Sequence, residues 1–357
     1  MKNKNALLYA VALVSLLALG SERWLSRAGR GEPGAAVIKA AAIMDGALSK
    51  LRACSESAGI PMDEAADPNR TGIVGVESSP VTTTLGSLEA KRTTANPAWA
   101  ALLVRLLDEC GVGAGDPVAV GASSSFPGLI VATLSAAEAL GARPLVIASL
   151  GASQWGGNRP EFGWVEMSGC LKDAGIFRHP AVALSLGGDG DAGLDLSREG
   201  RETLSDKMAR TGIPRISEAD LARNVATRME AYDREAGGPT LKAFVNIGGS
   251  WANIGTDASV LELAPGLITN RLAYRAGRNG VLQAMSARGV PVIHLLNIRG
   301  LCRRYGLPWD PSPIPRFEAA SLEPEDRPGG AAFFALSAAY LGLLALAGLR
   351  LRRLSRF

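Results

Sequence analysis

Between residues 73 and 296 the chain alternates short apolar runs, rich in Val, Ile and Leu, with longer stretches whose apolar positions recur every three or four residues. A short apolar run bounded by glycine or polar residues reads as a strand buried on both faces. The longer periodic stretches read as amphipathic helices. The pattern predicts strands at 73–76, 118–120, 144–149, 182–186, 241–247 and 290–296. It predicts helices at 34–58, from Pro97 onward, and at 126–140, 161–174, 198–211, 217–236 and 270–288. Asn96-Pro97 puts proline in a first helical turn, and Ser217 is expected to cap the helix that follows it. The alternation predicts an α/β fold: a mostly parallel, Rossmann-like sheet with helices on both faces and right-handed crossovers.

The two ends break this pattern. After MKNKN, Ala6–Gly20 is a short apolar run, and residues 1–25 read as an N-terminal membrane anchor or signal segment. Trp24 at the interface favours an uncleaved anchor. Residues 329–349 carry no charge and approach the roughly 20 residues needed to span a bilayer. The basic tail at 350–357, RLRRLSRF, belongs in the cytoplasm by the positive-inside rule. Arg23, Arg27 and Arg30 oppose that bias at the first segment, but a long translocated domain overrides it. The expected plan is an anchor, an extracytoplasmic α/β domain over 34–307, a Pro-rich linker over 308–328, a transmembrane helix and a cytoplasmic tail. The main domain would face outward from the cytoplasmic (inner) membrane.

Composition sharpens this plan. The chain of 357 residues is 47% hydrophobic and 20% charged, with the apolar excess at its ends. Its net charge of +4 is concentrated in the C-terminal arginines, and no basic stripe is interleaved with aromatics, so nucleic acid is not an expected partner. Four scattered cysteines and two histidines do not assemble a zinc site, and no metal or cofactor is expected. An exported domain could carry one or two disulfides, whose pairing the spacing leaves open, or the four cysteines could be buried thiols.

Candidate chemistry sits where strands end. GASSSFPG follows the strand at 118–120; Ser123, Ser124 and Ser125 there could hold an anion at the next helix N-terminus, supply a nucleophile, or simply cap the helix. The stretch is not a GxSxG elbow. The polar run ESSPVTTTLGSLEAKR offers Glu77, Ser78, Ser79, Thr82, Thr83, Thr84, Glu89, Lys91 and Arg92, a set suited to a carboxylate-rich or glycosidic ligand. Ser149, Ser153 and Trp155 lie at the next strand end, and Ser250, Trp251 and Asn253 at another, with the two tryptophans able to floor a groove. Asp189 and Asp191 in GGDGDAG lack the further ligands of an EF-hand. His294 reads as a core residue. No Ser-His-Asp set, Walker A loop or GxGxxG motif can be assembled.

The runs VESSPVTTTLGSLEAKRTTANP and DPVAVGASSSFPGLIVATLSAAEALGARPLVIASLGASQWGGNRPEF resemble the poly-gamma-glutamate system protein family, over roughly 71–167, with GGSWANIG further on. The resemblance implies a membrane-anchored protein of capsule or exopolymer biosynthesis, working beside the synthase. Its implied partners are poly-gamma-glutamate, the synthase membrane subunits and the lipid bilayer. No catalytic mechanism comes with it, so the serines, threonines, Glu89, Lys91, Arg92 and Trp155 of the matched runs are candidate ligand contacts. Three roles remain open: a polymer- or subunit-binding accessory protein, a hydrolase or transferase with a serine nucleophile in the 121–128 turn, and a non-catalytic scaffold for the synthase.

Overall fold

The computed structural model describes residues 34–317 apart from 239, together with positions 340 and 342. The described residues from 35 to 317 belong to one compact unit. Six strands make its sheet: β1 (Pro117–Ser123), β2 (Arg143–Ser149), β3 (Ala183–Ser185), β4 (Ala243–Ile247), β5 (Gly266–Ile268) and β6 (Val292–Leu295), in the order β3-β2-β1-β4-β6-β5. All pair in parallel except β5, which runs antiparallel to β6. The mostly parallel α/β sheet expected from the alternation is present.

Each strand sorts its side chains by the two-residue period. Val118, Val120 and Ala122 of β1 join one buried cluster and Ala119 the other. The first face is covered by α1 (Ala35–Ser57), α3 (Ala98–Glu109), α4 (Pro127–Leu140), α5 (Trp164–Asp173) and α6 (Arg198–Thr211). The second lies under α7 (Leu221–Ala236) and α9 (Val281–Ala287). A sheet clothed on both sides explains why its strands carry almost no polar residue until their C-terminal ends.

Several local expectations are corrected. Ile73–Val76 is not a strand of the sheet. It is held as an extended segment by Trp155, whose N–H donates to the Val76 carbonyl at 2.8 Å, and by the buried Asn158 side chain, which bonds both the N–H and the C=O of Val76. Short helices absent from the sequence reading are α2 (Leu88–Thr94), α8 (Trp251–Ile254) and α10 (Ile298–Tyr305). The expected helix over 270–288 shrinks to α9, because Gly280 takes its N-cap and the preceding residues include strand-edge turns fastened by Asn279 to the Arg275 N–H. Asp220, not Ser217, caps α7, accepting from the Arg223 N–H at 2.9 Å.

Of the four cysteines, Cys54 and Cys170 form a disulfide joining α1 to α5, while Cys110 and Cys302 are free. Residues 308–317 of the Pro-rich stretch lie along the body: Arg92 makes a two-pronged ion pair with Asp310, and the Asn69 amide donates to the Pro311 carbonyl. Among the described residues no helix is long and apolar enough to cross a membrane. The segments expected to do so, 1–25 and 329–349, lie outside the described residues except for positions 340 and 342.

Candidate functional site

Strand order reverses between β1 and β4: the chain moves outward through β2 and β3, then returns to the other side of β1. In open α/β sheets the loops leaving two such strands diverge to opposite faces and open a crevice at their carboxyl ends. Here the crevice is a cavity of about 730 Å³. The ends of β1 and β2 supply Ser123, Ser125, Phe126, Ser149 and Ser153; the β4 end supplies Ser250 and Trp251. Thr83, Thr84 and Ser87 descend from one side with Lys91 of α2, while Asn297 and Arg299 come from the β6 end and Trp309 from the segment after α10. Asp189 and Asp195, from the loop after β3, complete the acidic side.

Backbone geometry explains how the walls come so close. Ser123 is in register with Ser149, and Ser149 with Ser185, so three serines end three adjacent strands. Gly248 has φ +74°, and a Cβ there would lie 3.2 Å from that of Ser123, so a side chain would wedge the β1 and β4 loops apart. The loop after β1 is stitched to that after β2 by the Ser124 N–H donating to the Ser149 carbonyl at 3.0 Å and the Ser153 N–H donating to Ser125 Oγ at 2.9 Å.

Lys91 is the most unusual residue of the cavity. Helix α2 begins at the N-cap Ser87, whose hydroxyl accepts from the Ala90 N–H, and turns Lys91 inward beside Ala90, Thr93 and Thr94. The side chain is 4% exposed. Its Nζ donates to the Ser125 carbonyl at 2.6 Å, lies 2.8 Å from Ser153 Oγ and sits 3.6 Å from the centre of the Phe126 ring. Among the described residues no carboxylate is bonded to it, and burial pulls its pKa down to about 7. Its neighbour Arg92 points away, committed to Asp310.

Beneath the cavity lies a second cation, differently housed. Arg228 of α7 is fully buried and pairs with Asp191 at 2.7 Å, while its Nε donates to Asn224 Oδ1 at 2.8 Å. Asp191 also accepts from Ser185 Oγ at 2.8 Å, from Ser149 Oγ at 3.3 Å and from the Asn224 amide at 3.0 Å. Asp191 thus serves an internal network, and no group of His, Cys, Asp and Glu among the described residues could hold a metal ion.

Other polar side chains at the β1 and β4 ends are buried without partners: Ser124 Oγ, Ser250 Oγ, Asn246 Oδ1 and both amide atoms of Asn253. Asn253 presses on Gly121, where a Cβ would come within 2.5 Å of its amide. Each unpaired buried group costs about 1–3 kcal/mol, so their concentration at one strand edge marks a place not organised for stability alone. His294 on β6 is buried; the Asn246 amide donates to its Nδ1 at 3.0 Å, which leaves the proton on Nε2, and burial lowers its pKa to about 4.

The residues singled out in the sequence therefore divide. Thr83, Thr84, Lys91, Ser123, Ser125, Ser149, Ser153, Ser250 and Trp251 line the cavity. Ser124 and Asn253 are buried, and Trp155, which does not line the cavity, is joined through its main chain to residues 75 and 76. Ser79 and Thr82 bond to Asn158, Glu77 and Ser78 are exposed, and Glu89 takes the Ser87 hydroxyl, which holds its carboxyl below the usual range. The serines of the 121–128 turn do not cap α4, whose N-cap is Phe126. Among the described residues no hydrogen bond joins their hydroxyls to a basic side chain. Sequence reasoning missed Phe126, Asn297, Arg299 and Trp309; the Arg-Gly and Pro-Trp pairs at 299–300 and 308–309 carried no signal of their own.

A second cleft of similar volume, between α1 and residues 313–317, holds none of the strand-end residues. Its walls mix α1 side chains, Arg52 among them, with Arg70 and Arg316, and the switch-point cavity is the better candidate because buried chemistry converges there. No family model matches the chain, and neither a curated protein nor a solved structure matches it.

Proposed function

We propose that this protein is a membrane-anchored accessory protein of poly-gamma-glutamate synthesis or export, whose outward-facing α/β domain binds the polymer in the switch-point cavity. The observation that carries the reading is Lys91, a buried amine with no carboxylate of its own, facing a cavity that also receives Arg299. A polymer bearing a free carboxylate on every residue supplies the missing counter-charge, and binding it would raise the lysine's proton affinity. The unpaired Ser250 hydroxyl and the Trp251 and Trp309 rings provide a donor and apolar walls for the glutamyl chain. Asp189 and Asp195 on the facing side suit an amino end of the chain better than its anionic middle. The Cys54–Cys170 disulfide accords with an oxidising compartment outside the cytoplasm.

The test is retention of full-length protein, purified in detergent, on immobilised poly-gamma-glutamate. The reading expects saturable retention that weakens with salt, because charge contacts are screened, and that falls at least tenfold in Lys91→Met. Retention equal in wild type and Lys91→Met would refute cavity binding. Co-purification of the synthase with no polymer retention would favour the scaffold role.

A further inference from the structure

We propose that Lys91 and Ser153 form a serine–lysine pair that performs acyl transfer at an amide carbonyl. For its substrate, a γ-glutamyl amide, the inference rests on the polymer reading above.

Geometry supports the pair directly. Nζ of Lys91 and Oγ of Ser153 are 2.8 Å apart, and both residues line the cavity. A neutral amine has two N–H bonds and one lone pair. The N–H bonds have two receivers, the Ser125 carbonyl at 2.6 Å and the face of the Phe126 ring, so the lone pair is left for the Ser153 hydroxyl. Ser125 serves both partners, since its hydroxyl also accepts the Ser153 N–H and so fixes the nucleophile's backbone relative to the base. Sixty-two positions separate Lys91 from Ser153 in the chain, and the β1–β2 loop stitching joins them.

The charge state required of the base is supplied by its surroundings. Arg92 is held by Asp310 and Glu89 by Ser87, and the cavity's Asp189, Asp195 and Arg299 make no hydrogen bond or ion pair with Lys91. Burial alone sets its proton affinity, near 7, so an appreciable fraction is unprotonated at neutral pH. Lysine made neutral in this way is a recognised alternative to histidine as the base for a serine nucleophile.

In the first step Lys91 takes the hydroxyl proton as Ser153 Oγ bonds to the γ-carbonyl carbon. The C–N bond then breaks, and the lysine ammonium gives that proton to the departing amine, leaving a γ-glutamyl ester on Ser153. Water then attacks the ester carbon while Lys91 accepts its proton; the C–Oγ bond breaks and the lysine ammonium returns that proton to the serine oxygen. The balance is one amide bond and one water consumed for one carboxylic acid and one amine, which exchange a proton in solution to carboxylate and ammonium. A second amine in place of water gives transfer.

The test uses full-length protein in detergent and a fluorophosphonate probe, which phosphonylates activated serines independently of the substrate, with the adduct located by mass spectrometry. The proposal expects an adduct on Ser153, formed at a rate that rises with pH and levels off above about 7. Lys91→Arg keeps a cation but removes the base, and should slow the reaction by two orders of magnitude or more; Ser78→Ala should react as wild type. An adduct on Ser123, Ser124 or Ser125, no adduct at all, or undiminished labelling of Lys91→Arg would overturn the pair. A parallel incubation with poly-gamma-glutamate separates the two readings. A Ser153 adduct with unshortened polymer retains the pair and discards the substrate, whereas polymer retention without an adduct retains the binding site and discards the pair.

Discussion

Lys91 and Arg228 are both cations buried at the carboxyl edge of the same sheet, yet they are housed in opposite ways. Arg228 meets Asp191, Asn224 and Ser185 through its Nε and one Nη in a buried network behind the cavity. Lys91 meets a carbonyl, a hydroxyl and a ring, and faces the cavity itself. A guanidinium keeps its charge under nearly any conditions and its fork suits a carboxylate, so the paired arginine works as a fixed strut. An ammonium without a counter-charge loses its proton readily, so the unpaired lysine becomes a chemical group poised near neutrality. Burial by itself did not distinguish the two; the presence of a counter-ion did.

The largest expected effect breaks the paired side. Arg228→Met leaves the Asp191 carboxylate buried with its charge uncompensated, and should lower the unfolding free energy by about 3–5 kcal/mol in denaturant titration. If Lys91→Met proved as destabilising, the contrast between strut and poised base would collapse.

Next comes the pH dependence of the unpaired side. The folded-state pKa of Lys91, about 7, lies below its unfolded value. The unfolded chain therefore binds more protons between the two values, and stability rises with pH across that window. Below about pH 7 the full penalty of the buried charge is present, and towards pH 10 it is relieved by up to about 4 kcal/mol. Lys91→Met should abolish this slope and be the more stable protein at pH 6, as denaturant midpoints at pH 6, 8 and 10 would reveal.

His294 sharpens the comparison with a buried base whose polar partner among the described residues is the Asn246 amide. Its folded pKa of about 4 lies below the unfolded value of about 6.5, so stability is lost as pH falls between them, by up to about 3 kcal/mol. His294→Gln should flatten thermal midpoints measured from pH 7 to pH 4. The smallest effect belongs to Arg92, a partly exposed cation with a good partner. Asp310→Ala should cost about 1 kcal/mol and render the 308–317 segment more sensitive to limited proteolysis, while leaving Ser153 labelling intact.

How much of this could be read in advance depended on the range of each interaction. The strand runs at 118–120, 144–149 and 241–247 announced a parallel sheet because burial on both faces demands apolar side chains regardless of partners. The serine- and glycine-rich ends of those runs announced a polar surface for the complementary reason. Ile73–Val76 had the composition of a strand but was claimed by Asn158 and Trp155, contacts more than 75 residues away in the chain. Lys91 and Arg92 read as two equivalent candidate contacts for a carboxylate-bearing ligand, and nothing local revealed that one would be buried at Ser153 and the other spent on Asp310.

The amino-acid sequence by itself determined the class of fold and the edge of the sheet where polar chemistry would collect, because periodicity and turn composition act over a few residues. Tertiary structure alone decided which strands became neighbours, where their order reversed, and which cation was given a counter-ion. Those outcomes depend on contacts between distant segments, and a buried charge acquires its proton affinity only from the completed surroundings.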